Sequence, residues 1–366
     1  MVRICFVTVR ARLRLWITVL VFNAALAALI QAAAPEQPRL TDRNDYDYNG
    51  RQPLTAYCPN SIYCYRILVP MLLERVPMDP ELRWRGLQLL AHTATGTIVA
   101  MASLPAGSAF IASVLLQSSY AFTFTAYDPY TPDPVIFLIA ALVLHLWIVD
   151  RSFAVGLMAV VFVFAKETVG PIVAAPAIAA MLVARDRPAW WRWLVPVSLA
   201  GLTLLGFHWY MDTYAGWGIS RNAASNFSSG SWLAIWWKNN PSLARKALMI
   251  FAPFGFAWLF AALGYRHAGR PVRQLAIGAA LPMLMLVYVQ TPERALGNAF
   301  FVIIPLAAAF LGQVPAAPAW AAALTSGLVT ARMGLSTELL PSSSILLIPA
   351  TLSAAWAIAA YRRKTR

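Results

Sequence analysis

The sequence predicts an all-α polytopic membrane protein, with about 11 to 12 transmembrane helices and interfacial helices in its outer loops. Three observations predict it. First, 60% of the 366 residues are hydrophobic and only 12% are charged, with a mean hydropathy of +0.61. So little polar surface cannot coat a soluble chain of this length, and lipid must solvate much of it. Second, the apolar residues fall into runs of roughly bilayer length separated by short polar gaps. Third, charge is sorted by sign. Asp42, Asp45 and Asp47 sit in DRNDYDYNG, Asp128 and Asp133 in YDPYTPDP, Glu167 in AKETVGP and Glu293 in TPERALGN, whereas Arg3, Arg10, Arg12, Arg14 and Arg362, Arg363, Lys364, Arg366 mark the ends. Alternating passage through the bilayer puts the four acidic gaps on one side and the arginine-rich ends on the other. The formal net charge of +14 is therefore a signature of topology. Basic and aromatic residues do not interleave as a stripe, and no nucleic-acid partner is expected.

The elements follow in order. The first span starts near Leu15. Its basic start and the QAAAPEQ behind it also have the shape of a cleavable signal peptide, but the run from Leu15 to Ala34 is long enough to cross, which favours an uncleaved anchor. A first outer loop covers about 35–85. Within it YRILVPMLLE is too short to span and reads as an interfacial helix. Spans starting near Gly86, Gly107 and Pro134 come next, the last behind two prolines that set a tight cap with Asp133 in capping position. One helix over Ser152–Val183 would be about 48 Å long, well past a core of about 30 Å. Lys166 and Glu167 lie at its middle and Gly170-Pro171 follow, so two short helices starting near Phe153 and Val169 are expected to meet at a polar corner. That keeps the arginines of ARDRPAWWRW inside. A span near Trp193 leads to a second long outer loop, about 212–245, where SWLAIWWK sets Trp232, Trp236 and Trp237 at helical spacing. Anchoring in the headgroup region is one reading of these tryptophans; sugar stacking or a lipid-access rim is the other. Spans near Ala247, Leu275, Phe301, Trp320 and Ile345 complete a single integral membrane domain over 1–366. Both termini are expected in the cytoplasm of a bacterial-type inner (plasma) membrane, and no internal repeat argues for inverted symmetry.

The polar gaps hold the candidate chemistry. In DYDYN, an extended backbone would put Asp45 and Asp47 on one face, where paired carboxylates can act as a general base or together hold a divalent cation. A solvated loop that merely contains acids is the plainer reading. Arg66, ahead of the interfacial segment, can meet a phosphate through two parallel hydrogen bonds or pair with a local acid. Asp128 is freer than Asp133 to face a site. Lys166 and Glu167 are costly at membrane depth, about 2.5 to 3.5 kcal/mol each, so a functional role is their default. Glu293 and Arg294 form a further outer pair. Cys58 and Cys64 lie in the exported loop at a spacing that would close a small disulfide ring. His92, His145, His208 and His267 are too scattered for a zinc site, and there is no glycine-rich phosphate loop.

A basic N-terminus, one span and an outer loop with acids soon after it resemble the GT-C superfamily of polytopic membrane glycosyltransferases. The interfacial YRILVPMLLE, the DP-containing second outer loop and a KET between two short helices extend the likeness over roughly the first half of the chain. No large soluble domain follows the last span, which departs from the family pattern and leaves the acceptor undefined. The resemblance implies a polyprenyl-phosphate-linked sugar as donor, inverting transfer on the outer face, and Asp45 or Asp47 as base. Arg66, Asp128, Lys166, Glu167 and Arg294 are then candidate substrate-binding residues. A divalent metal fits between carboxylates but is not required. Membrane lipids are the other partners. The alternatives are a multispanning transporter or lipid flippase, with Lys166 and Glu167 as gate or proton relay, and a polysaccharide polymerase or ligase using diphosphate-linked donors.

Overall fold

The computed structural model describes residues 9–35, 41–52, 54, 63–102, 106–183, 190–214, 232–240, 242–284 and 292–365. Among these, all regular structure is helical. The first half comprises α1 (Val9–Ala33), α2 (Thr41–Arg51), α3 (Leu68–Glu74), α4 (Pro80–Ala102), α5 (Ala106–Gln117), α6 (Tyr120–Tyr127), α7 (Asp133–Ile148), α8 (Ser152–Phe162) and α9 (Val169–Leu182). Then come α10 (Leu194–Tyr214), α11 (Trp232–Asn239), α12 (Leu243–Phe251), α13 (Ala257–Gly264), α14 (Arg270–Gly278), α15 (Ala280–Met283), α16 (Pro292–Gly297), α17 (Phe300–Leu311), α18 (Ala316–Leu335) and α19 (Ser343–Thr365).

Among the described residues three helices are long and apolar enough to cross a membrane, against the about 11 to 12 spans expected: Arg10–Ala33, Trp190–Thr213 and Ser343–Thr365. A fourth is added if α5 and α6, bent by 47° at a short break, act as one span. Asp133–Ile148, α8, α9 and α17 are apolar but shorter. The polar corner expected between α8 and α9 is there, over 163–168. A second break, at 252–256, separates α12 from α13 and contains Gly255 at φ +53°. That is left-handed backbone, which glycine adopts without the cost of a Cβ.

Helix α7 shows how the bundle sorts its two ends. Its first residue, Asp133, meets Lys166 from the α8–α9 corner and Arg294 from α16. Near its other end, Trp147 Nε1 donates to the Pro271 carbonyl at 2.8 Å, and its ring packs on Trp193 at 4.8 Å. Around that second end His267 and the Tyr361 hydroxyl lie 3.0 Å apart, and Lys364 Nζ donates to the Gln313 carbonyl at 3.0 Å. One end of α7 thus gathers the charged partners of Asp133, and the other is fastened by the indole of Trp147.

Between the ends the helices pack through small residues. A Cβ added at Gly264 would strike the Leu306 carbonyl, and one at Gly278 the Ala175 carbonyl. Close backbone approach of this kind is how helices associate where lipid removes the hydrophobic drive between them. Amides fasten α1 into the bundle. Asn23, fully buried, donates to Ser113 Oγ at 2.9 Å, and Gln117 Nε2 donates to Asn23 Oδ1 at 3.1 Å and to the His92 carbonyl at 2.9 Å. His92 Nε2 and the Thr125 hydroxyl, 3.0 Å apart, extend the chain to α6. Gly96 lets both amides lie against α4, since a Cβ there would overlap Asn23 and Gln117. Interhelical bonds of this type contribute about 0.6 to 2 kcal/mol each.

Candidate functional site

At the acid-rich end, five ionisable side chains from four separate stretches of chain form one buried cluster. Arg66, in the turn before α3, donates from Nε and Nη2 to Glu167 Oε2 and Oε1 at 3.1 and 2.6 Å. This is the two-pronged geometry a guanidinium offers a carboxylate. Its Nη1 also donates to the Tyr46 hydroxyl at 3.2 Å. One peptide along from Glu167, Lys166 pairs with Asp133, whose second oxygen takes Arg294. The Arg294 guanidinium lies 4.9 Å from the Phe124 ring centre, and Asp128, half-buried, adds to the negative field that it meets. Asp133, Arg66 and Lys166 are 6%, 8% and 8% exposed.

Burial and pairing set the protonation of the connector residues. Burial opposes the charge of Arg66, but Glu167 and Tyr46 hold its guanidinium well above the ordinary value. Burial would also raise the Glu167 carboxyl, and Arg66 overcomes it, leaving that carboxyl below its ordinary range. Lys166 goes the other way. Burial lowers its ammonium, Asp133 opposes the drop, and Arg294 and Arg66 add to it. Three cations pair directly with two carboxylates, and Asp128 supplies a third negative charge near Arg294.

The placement of Asp45 and Asp47 corrects the extended reading of DYDYN. The segment is helical, α2, so residues two apart diverge by about 200° and the two carboxylates do not share a face. The inward residue is Tyr46, 1% exposed, packed on Trp84 at 5.6 Å and tied to Arg66. Asp45 and Asp47, both half-buried, lie on either shoulder of it. Asp47 pairs with Arg43 at 3.6 Å and lines a small cleft with Pro70, Glu74, Arg83 and Trp84. Asp133 corrects the capping reading. It is the first residue of α7, no side chain caps that helix, and Pro132 holds the capping position. Its carboxylate serves Lys166 and Arg294 instead.

A second polar group adjoins the cluster. The Tyr65 hydroxyl donates to Asp212 Oδ1 at 2.9 Å, and its ring stacks on His208 at 3.7 Å with 7° between the planes. The turn bearing Arg66 is thereby fixed to the end of α10. Cys64, just before it, is disulfide-bonded; Cys58 lies outside the described residues. Helix α11 forms where SWLAIWWK suggested one, with Trp237 exposed. Among the described residues no three His, Cys, Asp or Glu side chains gather as metal ligands. Sequence reading singled out Arg66, Lys166, Glu167 and Arg294, which the structure brings together. It missed Tyr46 and the central place of Asp133. The signal available for Asp133 was that, in the alternating topology, it opens on the same side as Lys166.

No known protein family, curated protein or solved structure matches this chain.

Proposed function

We propose that the chain is a multispanning membrane glycosyltransferase of GT-C type, crossing a bacterial-type inner membrane about 11 to 12 times with both termini in the cytoplasm. It moves a sugar from a polyprenyl-phosphate donor to an acceptor on the outer face. The supporting observation is the convergence of Arg66, Lys166 and Arg294 around two carboxylates, beside the helix that carries Asp45 and Asp47. In this reading one of those aspartates takes the proton of the acceptor hydroxyl as its oxygen attacks the anomeric carbon. The bond from that carbon to the phosphate oxygen breaks on the opposite face, inverting the centre, and polyprenyl phosphate leaves with the electron pair. Preorganised cations oppose the charge that grows on the leaving phosphate.

A transporter reading draws on the amide and histidine chain that enters the bundle from Asn23 to Thr125. The test is transfer of radiolabelled sugar in membranes supplied with polyprenyl monophosphate sugars, against parallel reactions with diphosphate donors. Incorporation from the monophosphate donor, lost in an Asp45→Asn or Asp47→Asn protein, is the expected result. Incorporation from the diphosphate donor alone moves the assignment to a polymerase or ligase, and no incorporation from any donor leaves transport as the reading.

A further inference from the structure

Between Asp212 and Glu293 the chain has no carboxylate. This is unlike the other outer gaps, and the stretch carries α11 and α12. Lys238, Arg245 and Lys246 consequently pair with no acid among the described residues. Arg245 Nη1 donates to the neutral Asn240 Oδ1 at 3.2 Å, and Lys246 Nζ sits 4.0 Å from the centre of the Trp237 ring. Beside these cations lies uncovered apolar surface. Leu243 is 80% exposed, Ile250 53% and Trp237 50%.

The helical register of α12 separates the two kinds of surface. Leu243, Ala247 and Ile250 follow one another at i, i+4 and i+7 and so share one face; all three are exposed. Met249, on the other side, is buried, and Arg245 and Lys246 flank it around the helix. The apolar face therefore looks away from the protein with Lys246, about 60° from Leu243, along one edge, while Arg245, about 200° from Leu243, lies on the opposite side. An outward apolar face edged by a cation is the pattern of a helix lying in a membrane interface. Long basic stems can run along that apolar surface and lift their charges to headgroup height. A zwitterionic headgroup balances its phosphate with its own ammonium, whereas an anionic headgroup leaves net negative charge for the basic side chains to meet.

We propose that α11 and α12 form a docking surface for anionic phospholipid of the surrounding outer leaflet. Leu243, Ile250 and Trp237 enter the acyl boundary, and Lys238 and Lys246 meet the headgroup phosphates. The inference needs only that the protein resides in a membrane and is independent of glycosyl transfer. To test it, the purified full-length protein is equilibrated with equal amounts of phosphatidylglycerol and phosphatidylcholine, and the retained lipids are counted by native mass spectrometry. The unmodified protein should keep phosphatidylglycerol preferentially, less so as salt rises. Each of Lys238→Gln and Lys246→Gln should lower that preference by up to about fivefold at low salt, Arg245→Gln on the opposite side of α12 should lower it less, and the triple variant should show the largest loss. Equal retention of the two lipids, a preference that salt does not move, or an unchanged preference in the triple variant would overturn the proposal. Where the triple variant does not fold, the single variants Lys238→Gln and Lys246→Gln carry the test. If polyprenyl phosphate displaces phosphatidylglycerol from the unmodified protein and not from the triple variant, the surface serves a donor lipid and the assignment to bulk phospholipid is wrong.

Discussion

Asp133 holds two cations with one carboxylate, so its substitution is the most informative single change. Asp133→Asn keeps the shape and removes the charge, leaving Lys166 and Arg294 side by side without a counter-ion. Removing one partner of a buried ion pair destabilises by about 3 to 5 kcal/mol, and the midpoint of denaturation in detergent should fall accordingly. A loss below about 1 kcal/mol would place the three side chains at an exposed, water-screened site. On α2, Asp45→Asn and Asp47→Asn are expected to differ, because Tyr46 turns them to opposite shoulders. One should lose about 10² to 10⁴ in sugar-transfer rate, the worth of a positioned general base, and the other much less. Equal, near-normal turnover in both would move the base to Asp128 or Glu167. Residues such as Lys166 and Glu167 were legible in the sequence because charge inside an apolar run is costly and stands out. Asp133 was not, since an acid before a helix has a local explanation, and only its contact with a residue 161 positions away shows that the local explanation is wrong.

At the scale of helices, the close contacts at Gly264 and Gly278 leave no space for a methyl group. Gly264→Ala and Gly278→Ala should each destabilise the fold by about 1 to 3 kcal/mol through overpacking. Gly201→Ala and Gly206→Ala provide the comparison, because a Cβ at either position meets nothing within 4 Å. Thermal unfolding of the four proteins should separate the pairs, and comparable melting in all of them would mean that the helices can move apart to admit the methyl. Helix positions were signalled in the sequence but the number of spans was not, since among the described residues three helices, or four with α5 and α6 joined, are long and apolar enough to cross. Each expected span start, from Leu15 to Ile345, falls on a described helix or on the short turn that leads into α10. Secondary structure within the polar gaps was not, and α2 shows why. Alternating Asp and Tyr fit a strand by period, but helix formation there is decided by the packing of Tyr46 on Trp84, a tertiary contact that propensity does not encode.

For the whole molecule, the sorted ends make a direct topological prediction. Single cysteines replacing exposed Gln52 and Lys238 at the acid-rich side, in a background lacking Cys5, should react with an impermeant maleimide in intact cells. One replacing exposed Arg266 at the basic side should react only after the cells are permeabilised. Labelling of Arg266→Cys alone in intact cells would invert the orientation and remove the outer-face reading of the cluster. The disulfide has its own measurement. A Cys58–Cys64 ring would add about 2 kcal/mol by restraining the unfolded loop, and mass spectrometry of the non-reduced protein should contain the linked peptide. Alkylation of Cys58 without reduction would exclude it.

The shared carboxylate at Asp133 also orders events during synthesis. Lys166 follows it by 33 residues and Arg294 by 161. At about 5 to 20 residues per second, Lys166 is made within a few seconds of Asp133, whereas Arg294 follows it by about 8 to 32 s. Throughout that interval the nascent chain holds a simple Lys–Asp pair. Closure by Arg294 is therefore a late event, and a ribosome halted ahead of α16 would carry a chain whose first half is assembled around a half-used carboxylate.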